Sequence, residues 1–197
     1  MLITRFSMIA FVALLALAGF LPATAVTPTP DDADTFETYG AKPRALPEDV
    51  IEMVVDEVVD GDTLRLTYPD DDWYYPVRII GIDAPEKDGP YTDEECYGND
   101  ATAALKKLLP EGSYVYVERD VSDVDRNDRW LRHVWLPFAE DGVDVEDEAY
   151  LVSEILTLGG WVDVKTYKPD VKYDKILKDA ERKAQKQDAG LWGACDV

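Results

Sequence analysis

A mainly β domain with added helices is predicted by three features of this 197-residue chain: five β-rich segments come first, one helical segment separates the third from the fourth, and helical periodicity returns near the end. That is the element order of a five-stranded OB-type barrel plus three helices.

The elements follow in order. Met53 to Val59 is a β-rich run, Asp60-Gly61 is a two-residue hairpin signal, and Leu64 to Tyr68 alternates apolar with polar. After the Asp70-Asp71-Asp72 turn, Trp73 to Ile82 reads as a third strand ended by Ala84-Pro85. Ala101, Ala104, Leu105 and Leu108 recur at helical spacing until Pro110 and Gly112. Tyr114 to Glu118 and Trp130 to Leu136 make two more strands, joined by a loop rich in Asp and Arg. An acidic loop from Glu140 to Asp147 then leads into a helix through Leu151, Ile155 and Leu158, ended by Gly159-Gly160. The last helix carries Ile176, Leu177, Ala180 and Ala184 on one face and stops at Gly190. No internal repeat is visible.

Composition bounds the function. Twenty Lys+Arg against 41 Asp+Glu give a net charge of −21, which excludes an ordinary basic nucleic-acid-binding surface. Hydrophobic residues make up 46% of the chain, too many for a charge-expanded disordered polymer. The single histidine, His133, removes chemistries that need two, and reads as a strand residue rather than a base. Catalysis must therefore lean on carboxylates, arginines or a hard metal ion. The acids are spread along the chain, which suggests a surface adapted to molar salt and a halophilic source.

Residues 1–25 read as a secretory signal: Arg5, an apolar run from Met8 to Leu21, and a small-residue ending at Ala23-Thr24-Ala25. An uncleaved membrane anchor is the alternative, against which the short apolar run argues. Residues 26–46 read as an acidic, Pro/Thr-rich disordered leader, and 47–197 as the folded domain. A secreted protein meets oxidising conditions, so Cys96 and Cys195, the only cysteines, are expected to form a disulfide, with two free thiols as the alternative.

Three segments carry the chemistry: Asp60-Gly61-Asp62-Thr63, Val77 to Glu86, and Asp125 to Leu131. Each alone has a plain reading as a turn, a strand end or a salt-bridged loop. Together they place carboxylates and arginines where a hard-cation site could face a phosphate clamp.

From Val54 to Trp192 the chain resembles the staphylococcal-type thermonuclease family, secreted calcium-dependent nucleases built on an OB-type barrel. The resemblance rests on Asp60-Gly61-Asp62-Thr63, the run Val77-Arg78-Ile79-Ile80-Gly81-Ile82-Asp83-Ala84-Pro85-Glu86, Cys96-Tyr97-Gly98, Tyr167-Lys168-Pro169, and Ala180-Glu181 through Gly190-Leu191-Trp192. It implies Asp62, Asp83 and the Ala84 carbonyl as calcium ligands, with Asp60 in support. It implies Glu86 as general base and Arg78 and Arg129 as binders of the scissile phosphate. It also implies that DNA and RNA are cleaved to 3′-phosphate and 5′-hydroxyl ends, by a secreted protein free of the membrane after signal cleavage. A monomer with no stable protein partner is expected.

Departures accompany the matches. Asn127-Asp128-Arg129 stands where the family usually has Tyr-Gly-Arg, and Lys165 where some members carry an aromatic. Tyr167 matches a family tyrosine, with ordinary strand packing as the alternative. Lys165 to Lys186 holds eight Lys+Arg against four Asp+Glu. That run reads mostly as a solvated helix face with i,i+4 pairs, leaving Lys165 and Lys168 to reach backbone phosphate. A silent OB-type binding or adhesion module is the competing function, and joint retention of Asp62, Arg78, Asp83, Glu86 and Arg129 favours the enzyme.

Overall fold

The computed structural model describes residues 39–89, 93–140 and 143–196. The expected signal and most of the leader lie outside them. The described residues form nine strands and four helices: β1 Arg44–Ala45, β2 Val50–Asp60, β3 Thr63–Thr67, β4 Tyr74–Ile79, β5 Ile82–Asp83, α1 Gly98–Leu108, β6 Tyr114–Glu118, β7 Trp130–Glu140, β8 Val143–Leu151, α2 Val152–Leu158, β9 Asp163–Val164, α3 Asp174–Lys186 and α4 Leu191–Ala194.

Strands β2, β3 and β4 form an antiparallel meander, β7 joins β4 in parallel, and β6 bridges β7 back to β2. Five strands thus close on themselves, which is the OB-type barrel. Alternation drives the closure. Leu64, Leu66, Val77, Ile79, Val115, Val117, Val134 and Leu136 all point inward and are buried. Helix α1 adds Ala101 and Leu105 to the core.

Three sequence expectations need correction. The acidic stretch read as a loop is β8, a strand paired with β7, and Leu151 ends that strand instead of lying inside a helix. Strand propensity is a matter of fit to a half-buried surface, and here pairing with β7 outweighs an acidic composition. The third predicted strand is broken at Gly81 (φ 91), where a Cβ would stand 2.4 Å from Leu177 Cδ1, so β5 turns away to pair with β9. Packing also begins ahead of residue 47. Tyr39 meets Trp161 edge to face at 5.2 Å, Ala41 is buried, Arg44 is paired with Glu154, and β1 lies on β8.

Cys96 and Cys195 are bonded to each other, 99 residues apart in sequence. His133 lies in β7 and is 1% exposed, so its strand reading holds. Tyr173 packs edge to face on it at 4.6 Å, and Asp120 Oδ2 is 3.6 Å from Nε2, beyond hydrogen-bond reach. Burial holds its pKa below the ordinary value, although Glu118 and Asp120 pull the other way and Lys172 adds to the lowering. The folded state therefore binds this proton more weakly than the unfolded chain. Stability is full above the unfolded pKa of about 6.5 and is lost as pH falls toward and through the folded value. Urea unfolding from neutral to mildly acidic pH should show a fall in midpoint that is shallower in His133→Gln; an unchanged slope would remove His133 as the cause.

Candidate active site

The site is assembled at one end of the barrel by the β2–β3 hairpin, the end of β4 with β5, and the loop before β7. Gly61 is required at the hairpin because a Cβ there would approach Ala84 Cβ to 2.7 Å and Ala101 Cβ to 2.9 Å. The Asp60 Oδ1 atom accepts the Asp62 N–H at 3.1 Å, fixing the turn.

Asp62 is 6% exposed. Its Oδ1 accepts the Thr63 hydroxyl at 2.9 Å, while Oδ2 accepts the Ala84 N–H at 2.8 Å and forms an ion pair with Arg78 Nη1 at 2.8 Å. The register Thr63↔Arg78 makes this meeting possible. Arg78 also donates through Nη2 to Asp83 Oδ1 at 2.6 Å, and Lys165 Nζ stands 3.9 Å from Asp83 Oδ2. Burial pushes the Asp62 pKa up to about 7; the Asp60 charge adds to this, while Arg78, the Ala84 N–H and the Thr63 hydroxyl oppose it. Asp62 and Asp83 thus share the Arg78 guanidinium while Asp60 adds its charge beside Asp62, a local deficit of positive charge.

Arg129 is held differently. Asp125 Oδ2 accepts its Nε at 2.8 Å and forms an ion pair with Nη2 at 2.7 Å, and Thr63 Oγ1 accepts Nη1 at 3.2 Å. Asp125 Oδ1 caps the turn by accepting the N–H groups of Asn127 at 2.8 Å and Arg129 at 3.0 Å. Burial tends to raise the Asp125 pKa, but these bonds and the guanidinium charge hold it below the ordinary carboxylate value. Asp128 takes φ 59 in this turn, a left-handed conformation that Asp tolerates. The position filled by glycine in the family pattern therefore keeps the shape glycine would provide.

Glu86, exposed, lines the same cavity of about 650 Å³ as Asp60, Asp62, Arg78, Asp83 and Arg129. Its backbone is fixed by Glu95, whose Oε2 accepts the Glu86 N–H at 3.1 Å and whose N–H reaches the Glu86 carbonyl at 2.8 Å. Gly98 lets α1 approach that carbonyl, since a Cβ there would lie 2.1 Å from it. Ala84 meets Asp62 through its amide N–H. Tyr167 and Lys168 line the cavity, whereas Lys165 sits outside its lining beside Asp83. In α3, Asp174 pairs with Lys178 as the face reading expected, and Asp179 pairs with Arg182 instead of Lys183.

Sequence reasoning missed Asp170. This residue, 6% exposed, accepts the N–H groups of Val121 at 3.0 Å and Ser122 at 2.7 Å, tying the Tyr167-Lys168 segment to the loop that carries Arg129. An Asp immediately after Lys168-Pro169 was its only signal, as a turn residue.

Among the described residues no cluster of three or more His, Cys, Asp and Glu side chains is set to hold a metal ion. The converging donors are the carboxylates of Asp62 and Asp83, all oxygen, and burial opposes ionisation of one of them. The all-oxygen donor set fits a hard divalent cation, with backbone, water or phosphate oxygens completing its shell.

Carboxylates, arginines and a cleft-lining glutamate thus stand together at one end of an OB-type barrel, an arrangement whose donors and charges suit an anionic ester. The profile of the staphylococcal nuclease homologue family matches residues 76–194, and the chain belongs to that family. The thermonuclease of Staphylococcus intermedius is 33% identical over 139 residues, 71% of this chain and 74% of that protein. The thermonuclease of Staphylococcus hyicus is 32% identical over 135 residues, 68% of this chain and 72% of its own length. A prophage-derived endonuclease of Bacillus subtilis, YokF, is 30% identical over 146 residues, 74% of this chain and 45% of that longer protein.

Proposed function

We propose that this nuclease is a calcium-dependent endonuclease that hydrolyses DNA and RNA to 3′-phosphate and 5′-hydroxyl ends. The observation that carries the reading is the meeting of Glu86, Arg78 and Arg129 with Asp62 and Asp83 around one cavity. Asp62 and Asp83, with the Ala84 carbonyl, would hold calcium, supported by Asp60; bound there, the ion supplies charge that stabilises the phosphate as it becomes pentacovalent.

The chain's own residues do the rest. Glu86 takes a proton from the water whose oxygen attacks phosphorus; the bond from phosphorus to the 5′ oxygen breaks, and that oxygen takes a proton from solvent. Arg129 presents a guanidinium already oriented by Asp125 and Thr63, so it can face the phosphate oxygens without searching for a rotamer. Arg78, paired with Asp62 and Asp83, lines the same cavity and would bind the scissile phosphate beside Arg129. Tyr167, Lys168 and Lys165 are assigned to the flanking nucleotides. Secretion through residues 1–25, action as a monomer and a halophilic setting complete the proposal.

The test is cleavage of plasmid DNA and of RNA by the secreted protein. Cleavage should appear with calcium, vanish in excess chelator, and not be restored by zinc. With about −21 on the chain, cleavage rate should also rise between tens of millimolar and molar salt, because screening removes long-range repulsion from the polyanion while leaving short contacts. Full activity in chelator would sink the metal assignment.

A further inference from the structure

Alternation in β4 sends Val77 and Ile79 into the core and leaves Tyr74, Pro76 and Arg78 on the outer face. The register Thr67↔Tyr74, Arg65↔Pro76 and Thr63↔Arg78 aligns the outer residues of β3 with them. Thr63 and Arg78 stand at the site. Four residues back along the strand, about 13 Å at the usual rise, the same face ends in aromatic rings.

Tyr74 is 45% exposed and Trp73 69%, and their rings lie 6.3 Å apart with planes within 8° of parallel. The Arg65 guanidinium is 4.9 Å from the Tyr74 centroid and is also paired with Glu57. Asp71 Oδ1 accepts the Trp73 N–H at 3.0 Å, which fixes the turn that presents the indole. Among the described residues the exposed aromatic side chains are Trp73, Tyr74 and Tyr167. Tyr167 lines the catalytic cavity, and the other two lie at the start of β4, at the opposite end of that strand from Arg78. In OB-type barrels the pair formed by β3 and β4, the second and third strands of the barrel, is a face on which oligonucleotides bind.

Charge does not explain the patch, because the adjacent turn is Asp70-Asp71-Asp72 and the whole chain is acidic. Such a protein gains little from release of condensed counterions. Base stacking on aromatic rings needs no net charge and tolerates any sequence.

We propose that Trp73 and Tyr74 form a stacking platform for the bases of single-stranded nucleic acid, extending the site along the outer face of β3 and β4. The proposal rests on the nuclease reading of the site and adds an accessory subsite to it. A dinucleotide seated at Arg78 and Arg129 does not reach the platform, whereas a dodecanucleotide does.

The experiment measures binding of dithymidylate and dodecathymidylate in chelator and molar salt, where turnover and counterion effects are suppressed. Three proteins are compared: the natural chain, Trp73→Ala/Tyr74→Ala and Trp73→Phe/Tyr74→Phe. The gain in affinity from the short to the long ligand should shrink by about tenfold or more in the alanine pair, the scale of a lost stacked base, and be kept in the phenylalanine pair. Urea midpoints of all three proteins report folding. An undiminished gain in the alanine pair would overturn the platform, as would equal loss at both lengths. Plasmid cleavage with calcium, measured on the natural chain, fails separately if the nuclease reading is at fault.

Discussion

Glu86→Gln should lower turnover by at least about 10²-fold, the usual scale for removing a general base. The substitution keeps the length of the side chain and removes its capacity to accept a proton. The backbone of residue 86 is held by Glu95 and by the close approach of Gly98, so the amide would occupy the carboxylate's place. Binding of nucleic acid should survive, which separates a kcat effect from a KM effect. Arg129→Lys should lose a comparable factor for another reason. The natural side chain satisfies Asp125 and Thr63 at once through Nε, Nη1 and Nη2, and an ammonium cannot reproduce that fork. Initial rates on plasmid DNA at saturating calcium check both variants, and near-normal turnover in either would mean that its role has been assigned to the wrong residue.

Loss of the Cys96–Cys195 bridge should be the largest single change in stability. The bond closes a loop spanning 99 positions, for which the chain-entropy account gives roughly 4 to 5 kcal/mol, with smaller values common in practice. The loop takes in α1, the return strands of the barrel and all later helices. Cys96→Ser/Cys195→Ser should therefore lower the urea midpoint strongly. A rise in m-value would point to the entropic cause, since an uncrosslinked unfolded chain exposes more surface. A midpoint within error of the natural protein would show that the bridge contributes little.

The barrel was legible in the sequence because its signals are local. Alternation in Leu64 to Tyr68, the Asp60-Gly61 turn and the apolar run from Val77 to Ile82 each specify a strand or turn without reference to distant residues. The site was legible for a related reason, since its carboxylates and arginines lie in short motifs at strand ends. Asp62, Arg78, Asp83, Glu86 and Arg129 do come together around one cavity. What escaped depends on partners far along the chain. β8 is a strand because β7 lies beside it, β1 exists because β8 offers an edge, and Asp170 matters because residues 121 and 122 present two N–H groups to it. The double engagement of Arg78 by Asp62 and Asp83 also depended on three-dimensional approach.

The short β1 strand bears on the edge that the sheet presents to solvent. Exposed sheet edges are templates for strand addition by a neighbouring molecule. Charge ordinarily discourages such encounters in an acidic protein, but in molar salt the repulsion is screened within about 3 Å. Shape then has to do the work of charge. Among the described residues the barrel closes on itself, and β1 with Leu46 covers β8 at residues 147 to 149. Asp147 takes a left-handed conformation (φ 62) that breaks the regular line of that edge. The remaining pair, β5 and β9, has two residues in each strand. Among the described residues the outermost strand of the sheet is thus two residues long, which leaves little template for strand addition at any salt concentration.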